Sequence, residues 1–181
     1  MNRAFRHPGA LTHVTMALGW DPAPPTGRFG GERHDIDLNA CALSFAGTQF
    51  IDGAFHEQLT SQDRAVRHLG DSVTGDGDGD NEAIAVDLTR LNPAVTTIVF
   101  LVTSYSGQHF DQIRNGFCRV IDNVTGIELL RFDLAGAGSH TGIVLGKLHR
   151  PDQNWQFDVL AEPIWAQHAI EAIPQLTGHL S

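Results

Sequence analysis

Ile98-Val99-Phe100-Leu101-Val102-Thr103 is an uninterrupted apolar run rich in β-branched side chains, and stiff branched residues at that density favour a strand. Downstream, Phe117-Cys118-Arg119-Val120-Ile121 runs into Asp122-Asn123-Val124-Thr125-Gly126 and is followed by Glu128-Leu129-Leu130-Arg131-Phe132-Asp133-Leu134. That order is strand, turn, strand. Residues 141–149 and 155–161 form a second such pair across Arg150-Pro151-Asp152-Gln153-Asn154. Upstream, residues 11–20 and 84–88 also read as strands, with little helical periodicity anywhere in between. Several short strands need two faces to bury their apolar sides, so the expected class is all-β, a β-sandwich of two mainly antiparallel sheets. A short C-terminal helix is expected over residues 164–173, where Ile164, Trp165, His168 and Ile173 would share an apolar face before Pro174 ends it. Phe110-Asp111-Gln112-Ile113-Arg114 is long enough for a turn or so of helix. Residues 11–181 read as a single domain, preceded by a flexible segment 1–10, with Gly178 to Ser181 loose.

Composition narrows the partners. The 181 residues carry 12 basic and 21 acidic side chains, a formal charge of −9, which argues against nucleic acid or anionic lipid. Cys41 and Cys118 are the only cysteines, and their apolar surroundings favour buried free thiols over a disulfide framework. Residues 1–18 lack the apolar core of a secretory signal, and no apolar run reaches the length of a membrane span. The chain therefore reads as cytoplasmic, without direct membrane insertion. Three prolines and three glycines between residues 22 and 31 mark a loop after the first strand.

Chemistry concentrates in Gly70-Asp71-Ser72-Val73-Thr74-Gly75-Asp76-Gly77-Asp78-Gly79-Asp80-Asn81-Glu82. Five carboxylates fall within these thirteen residues, interleaved with glycine and with no lysine or arginine. Such a segment repels itself unless a cation gathers the charges, and oxygen-only ligands on a flexible loop favour Ca2+ over Mg2+. An EF-hand does not fit: with Asp76, Asp78 and Asp80 in its first, third and fifth positions, Asn81 stands where glycine is needed and Asp87 where glutamate is needed. Calcium-binding β-rolls repeat their motif, and this one occurs once. Further ligands must come from elsewhere in the fold. If His34-Asp35-Ile36-Asp37-Leu38-Asn39-Ala40-Cys41-Ala42-Leu43 is a strand, Asp35, Asp37 and Asn39 share one face and supply a second wall; the alternative is an edge strand blunted by acidic side chains. Asp21, in the turn Gly19-Trp20-Asp21-Pro22, is a weaker candidate.

Gly19-Trp20-Asp21-Pro22, Asp35-Ile36-Asp37, the acidic loop from Gly70 to Glu82, Arg119-Val120-Ile121-Asp122-Asn123, Glu128-Leu129-Leu130-Arg131-Phe132-Asp133-Leu134 and Trp155-Gln156-Phe157 stand in an order that resembles the TerD family of tellurium-resistance and stress-response proteins, from about Val14 to Ala161. The resemblance implies a cytoplasmic calcium-binding β-sandwich without enzyme chemistry, acting through other proteins of a stress-response complex. It matches Asp71, Asp76, Asp78, Asp80 and Glu82 to acidic family positions and Asp35 and Asp37 to the family's paired aspartates, a metal set of seven. Ser72 replaces the family's usual asparagine and Asn81 a usual aspartate, which would weaken or vacate one of two calcium positions. The chain after Glu162 departs from the family's glycine-rich finish.

Other constellations carry less. His109 and Asp111 are too close in sequence to argue for a catalytic relay, and no serine sits in a nucleophile elbow. His34 and His68 adjoin the acidic segments and raise transition-metal binding as an alternative. Trp20, Phe100, Phe117, Phe132 and Trp155 read as core. Three functions remain: a calcium-binding stress protein that acts through partners, a sandwich whose metal serves stability alone, and a metal-dependent hydrolase, for which no acid/base pair is evident.

Overall fold

The computed structural model describes residues 9–24 and 34–180. Most of the leading segment 1–10, most of the loop 22–31 and Ser181 lie outside the described residues. Ten strands form two five-stranded antiparallel sheets: β1 (His13–Gly19), β2 (Leu38–Ala46), β3 (Gln49–Ala54), β4 (Val66–His68), β5 (Glu82–Asp87), β6 (Thr97–Ser104), β7 (Phe117–Asp122), β8 (Glu128–Asp133), β9 (Gly142–His149) and β10 (Gln156–Ile164). One sheet runs β4-β5-β1-β7-β8 and the other β10-β9-β6-β2-β3.

The first sheet is covered on one face and its strands alternate accordingly. Ile84 and Val86 of β5, Val14, Met16 and Leu18 of β1, and Cys118 and Val120 of β7 point into the core, and the residues between them are partly exposed on the two outer strands of this trio. The middle of the second sheet, β9-β6-β2, is buried on both faces. Leu38, Ala40, Ala42, Phe100 and Val102 meet the first sheet, whereas Cys41, Leu43, Phe45, Val99, Leu101 and Val144 pack against Ile164, Ala166, Ala169, Ala172, Leu176 and Leu180 of the C-terminal segment. The opening run at Ile98 to Thr103 therefore has no polar side, as a doubly covered strand requires.

Four expectations need correcting. The strand expected from His34 begins only at Leu38, because residues 34–37 form an irregular lead-in whose Asp37 N–H donates to Ser106 Oγ at 2.8 Å. Asn39 is buried within β2 on the same side as Cys41, and β2 is no edge strand, since it sits between β6 and β3. The C-terminal helix shrinks to α1, Ala169–Ala172. Ile164 is instead the last residue of β10, an edge strand where the missing N–H of Pro163 is tolerated, and Trp165 is exposed. Residues 178–180 are not loose: Lys147 Nζ donates to the His179 carbonyl at 2.8 Å and Leu180 is buried. Cys41 and Cys118 are free, buried and on different sheets.

Candidate metal centre

The acidic loop joins β4 to β5, and Glu82, the first residue of β5, locks its base. Its side chain is fully buried. Oε2 accepts the Ala40 N–H at 2.8 Å and lies 3.1 Å from His68 Nε2, while Oε1 accepts the Ser72 N–H at 3.1 Å. Ala40 lies beyond the last β2 residue paired with β3, Ala42, so this carboxylate supplies the acceptor that the neighbouring strand no longer provides and ties the two sheets together. Burial pushes the Glu82 carboxyl above its ordinary pKa, against the downward pull of His68, Ala40 and Ser72. His68 Nδ1 accepts the Gly70 N–H at 3.2 Å. Both of its ring nitrogens are thus committed within the protein, which removes the transition-metal reading from His68.

Trp20 and Asn81 shape the rest of the loop. The Trp20 indole N–H donates to the Ile36 carbonyl at 2.9 Å, and a β-carbon on Gly75 would collide with that indole. The loop can therefore lie on the ring only with glycine at position 75, where φ is +73°. Asn81 Oδ1 accepts the Trp20 N–H at 2.8 Å, which fixes the orientation of the carboxamide; its Nδ2 then faces the carbonyls of Gly75, Asp76 and Gly77 at 3.3, 3.3 and 3.1 Å. A neutral donor at the hub does part of what a cation would do for inward-pointing carbonyls. Neither role was visible in the sequence, where Trp20 read only as core and Asn81 only as a lost charge.

The carboxylates themselves do not converge as one group. Asp76 accepts from Thr74 Oγ1 at 2.8 Å. Asp80 receives a two-pronged contact from Arg119 of β7, 3.1 Å to Nε and 2.5 Å to Nη2, so the neutralising base absent from the loop is supplied by a strand. Asp78 lines an open cleft of about 620 Å³ with Trp20, Asp21, Phe117, Arg131 and Asp133. Phe117, expected as core, is half-exposed there with the Arg131 guanidinium 4.9 Å above its ring. Asp21 accepts from Asn115 Nδ2 at 2.7 Å in the same wall.

Asp37 is different. Its Oδ1 is buried and has no hydrogen-bond partner, and its carboxyl is pushed up to about 6 by burial first, then by the charges of Asp71 and Glu82. The charges of Asp71 and Glu82 are felt at this carboxyl and its idle oxygen is a donor that suits a hard cation, but among the described residues no three carboxylates bring their oxygens within 4.8 Å of one another. Asp35, two residues before Asp37, and Asp71 are both exposed. His109 packs its ring edge-on to Trp165 at 5.6 Å ahead of a 3-10 turn, Phe110–Gln112.

The model of the TerD domain matches residues 6–169. The chain belongs to the TerD family. Among its relatives, the tellurium resistance protein TerZ of Serratia marcescens is 44% identical over 155 residues, spanning 83% of this chain and 80% of that protein. The general stress protein 16U of Bacillus subtilis is 35% identical over 162 residues, spanning 85% and 81%. The crystal structure of a Streptomyces coelicolor homologue of the telluride resistance protein TerD superimposes with a TM-score of 0.79 at 20% identity, covering 90% of this chain and 95% of that one. That likeness establishes the shared β-sandwich. No helix among the described residues is long and apolar enough to cross a membrane.

Proposed function

We propose that this TerD-family protein binds Ca2+ at the base of its acidic loop and serves a tellurium-resistance or general stress response by presenting the ordered loop to a protein partner. The observation that carries the reading is the buried, unpartnered Oδ1 of Asp37 beside the charges of Asp71 and Glu82. Asp37 and Asp71 would hold the ion, with Asp35 adjacent, while Asp76 and Asp78 add negative potential from the rim. When bound, the ion supplies positive charge to oxygens that otherwise repel one another. Glu82 and Asp80 organise the loop through Ala40, Ser72, His68 and Arg119. The role is one of binding in the cytoplasm, with the cleft that Asp21, Asp78 and Asp133 share with Arg131 and Asn115 as part of the surface presented.

Isothermal titration after chelation tests the ion. Calcium should bind well ahead of magnesium, and Asp71→Asn should weaken it. Equal affinity for the two ions, or full calcium binding by Asp71→Asn, would overturn the assignment. A partner captured with and without calcium separates a signalling ion from one that serves stability alone.

A further inference from the structure

A second cluster lies just past β3, at the same end of the second sheet as Asp37: the His56 ring packs on Tyr105, whose N–H donates to the Asp37 carbonyl at 2.9 Å. Past β3, Phe55 and Gln58 exchange backbone hydrogen bonds at 2.9 Å in both directions, which puts His56 and Glu57 at the tip of a two-residue turn. The Gln58 carboxamide braces this turn through Asp52 Oδ1 and the Gly53 carbonyl, at 2.9 and 2.7 Å. His168, the residue that caps α1, reaches the same point from the C-terminal segment. Glu57 Oε2 is 3.1 Å from His168 Nε2, and Glu57 Oε1 is 3.6 Å from His56 Nε2.

Among the described residues, His56, Glu57 and His168 are the one group of three such side chains whose ligand atoms all lie within 4.8 Å of one another. We propose that they form a site for a borderline first-row dication, zinc in the first instance, chemically distinct from the oxygen-only loop and independent of the calcium reading. Two imidazoles and one carboxylate are the donors such an ion prefers. Ligand atoms about 2.0–2.1 Å from a tetrahedral ion stand about 3.3 Å apart. The two nitrogens face different oxygens of Glu57, at 3.6 and 3.1 Å, and the ligand atoms lie within 4.8 Å of one another, so closing on one ion requires the carboxylate to turn and the two rings to draw together.

His56 gives the second argument. Its Nδ1 is buried without a hydrogen-bond partner, and its Nε2 is beyond hydrogen-bond range of Glu57. The ring is held by packing instead, against Tyr105 at 5.2 Å and His168 at 5.4 Å between centroids. A half-buried imidazole fixed in place, with Nδ1 idle and Nε2 turned to a carboxylate 3.6 Å away, is poised to ligate through Nε2. Glu57 is exposed, so a fourth position remains open to water or an exogenous anion.

Loading has a structural signature. His168 Nδ1 accepts the Ile170 N–H at 3.1 Å, so the Nε2 of the metal-free ring carries the proton. An ion at Nε2 sends that proton to Nδ1, and Ile170 loses its acceptor. Metal and cap are alternatives, and the exchange is felt along the segment that covers the second sheet.

The test titrates zinc into the full chain held in excess calcium, with cobalt absorption as the spectroscopic reporter. One additional zinc per chain should bind, cobalt should report nitrogen and oxygen ligands, and the Ile170 amide resonance should shift. Glu57→Gln, His56→Gln and His168→Asn, the last of which keeps a capping side chain, should each weaken zinc about 10-fold or more, while His109→Gln should not. No zinc uptake under calcium, or equal uptake by the three variants and the parent, overturns the proposal. Loss of calcium binding with zinc uptake intact would overturn the acidic-loop assignment alone.

Discussion

Replacing Asp37 by asparagine keeps the shape of the side chain and deletes its charge, so it separates electrostatic strain from cation binding at one atom. The Asp37 carboxyl is raised from 3.8 to about 6, which means that between about pH 4 and pH 6 the folded protein holds a proton the unfolded chain has released. Stability of the cation-free protein therefore falls as pH rises through that window. The shift corresponds to a ceiling of about 3 kcal/mol, and solvent screening at a half-exposed group reduces it to about 1–2 kcal/mol. In chelator at pH 7.5, Asp37→Asn should melt about 2–8 °C above the parent, given about 2–4 °C per kcal/mol for a chain of this size. The gain should vanish near pH 4, and excess calcium should reverse the order because only the parent keeps the full ligand. Melting curves by circular dichroism at two pH values, with and without calcium, give all four numbers. A variant less stable than the parent by the same amount in chelator and in calcium would refute the reasoning and make Asp37 an ordinary structural acceptor.

Glu82→Ala leaves the N–H groups of Ala40 and Ser72 and the His68 ring without their acceptor in a buried place, and should cost about 3 kcal/mol or more, seen as a fall in melting temperature in calcium and chelator alike. Gly75→Ala should destabilise more than Gly79→Ala in denaturant titrations: both positions have positive φ, but only at 75 does the new β-carbon meet Trp20. Arg119→Gln should change stability by less than about 1 kcal/mol, because the Asp80 pair is partly exposed, yet it should tighten calcium by removing a competing cation; unchanged or weaker affinity would show that Asp80 does not feel the ion.

The strands that alternate, β5 and β7, and the apolar run of β6 were legible because their periodicity records which faces are covered. β3 and β4 were not: Gln49–Ala54 contains Asp52 and Gly53, and Val66–His68 is three residues long, so neither carries enough pattern to register. The lead-in at 34–37 mimics a strand because its side chains alternate, but Ser106 takes the Asp37 N–H. Apolar spacing at residues 164–173 suggested a helix although it is divided between a strand end and one short turn. At the loop, the acidic residues were plain in the sequence, whereas Arg119 as the partner of Asp80, Asn81 as the hub and the meeting of Glu57 with His168 join residues far apart in the chain and leave no local trace.

The cover over the second sheet has a consequence for synthesis. About 120 residues separate the end of β2 from the start of the segment that buries its outer face, and translation at about 5–20 residues per second takes roughly 6–24 s to cross that gap. During this interval Leu43 and Phe45, and later Val99 and Leu101, face solvent beside unfinished neighbours. The nascent protein is thus an adhesive intermediate, and any condition that slows the ribosome lengthens the time in which a holdase, or another half-made copy, can reach it.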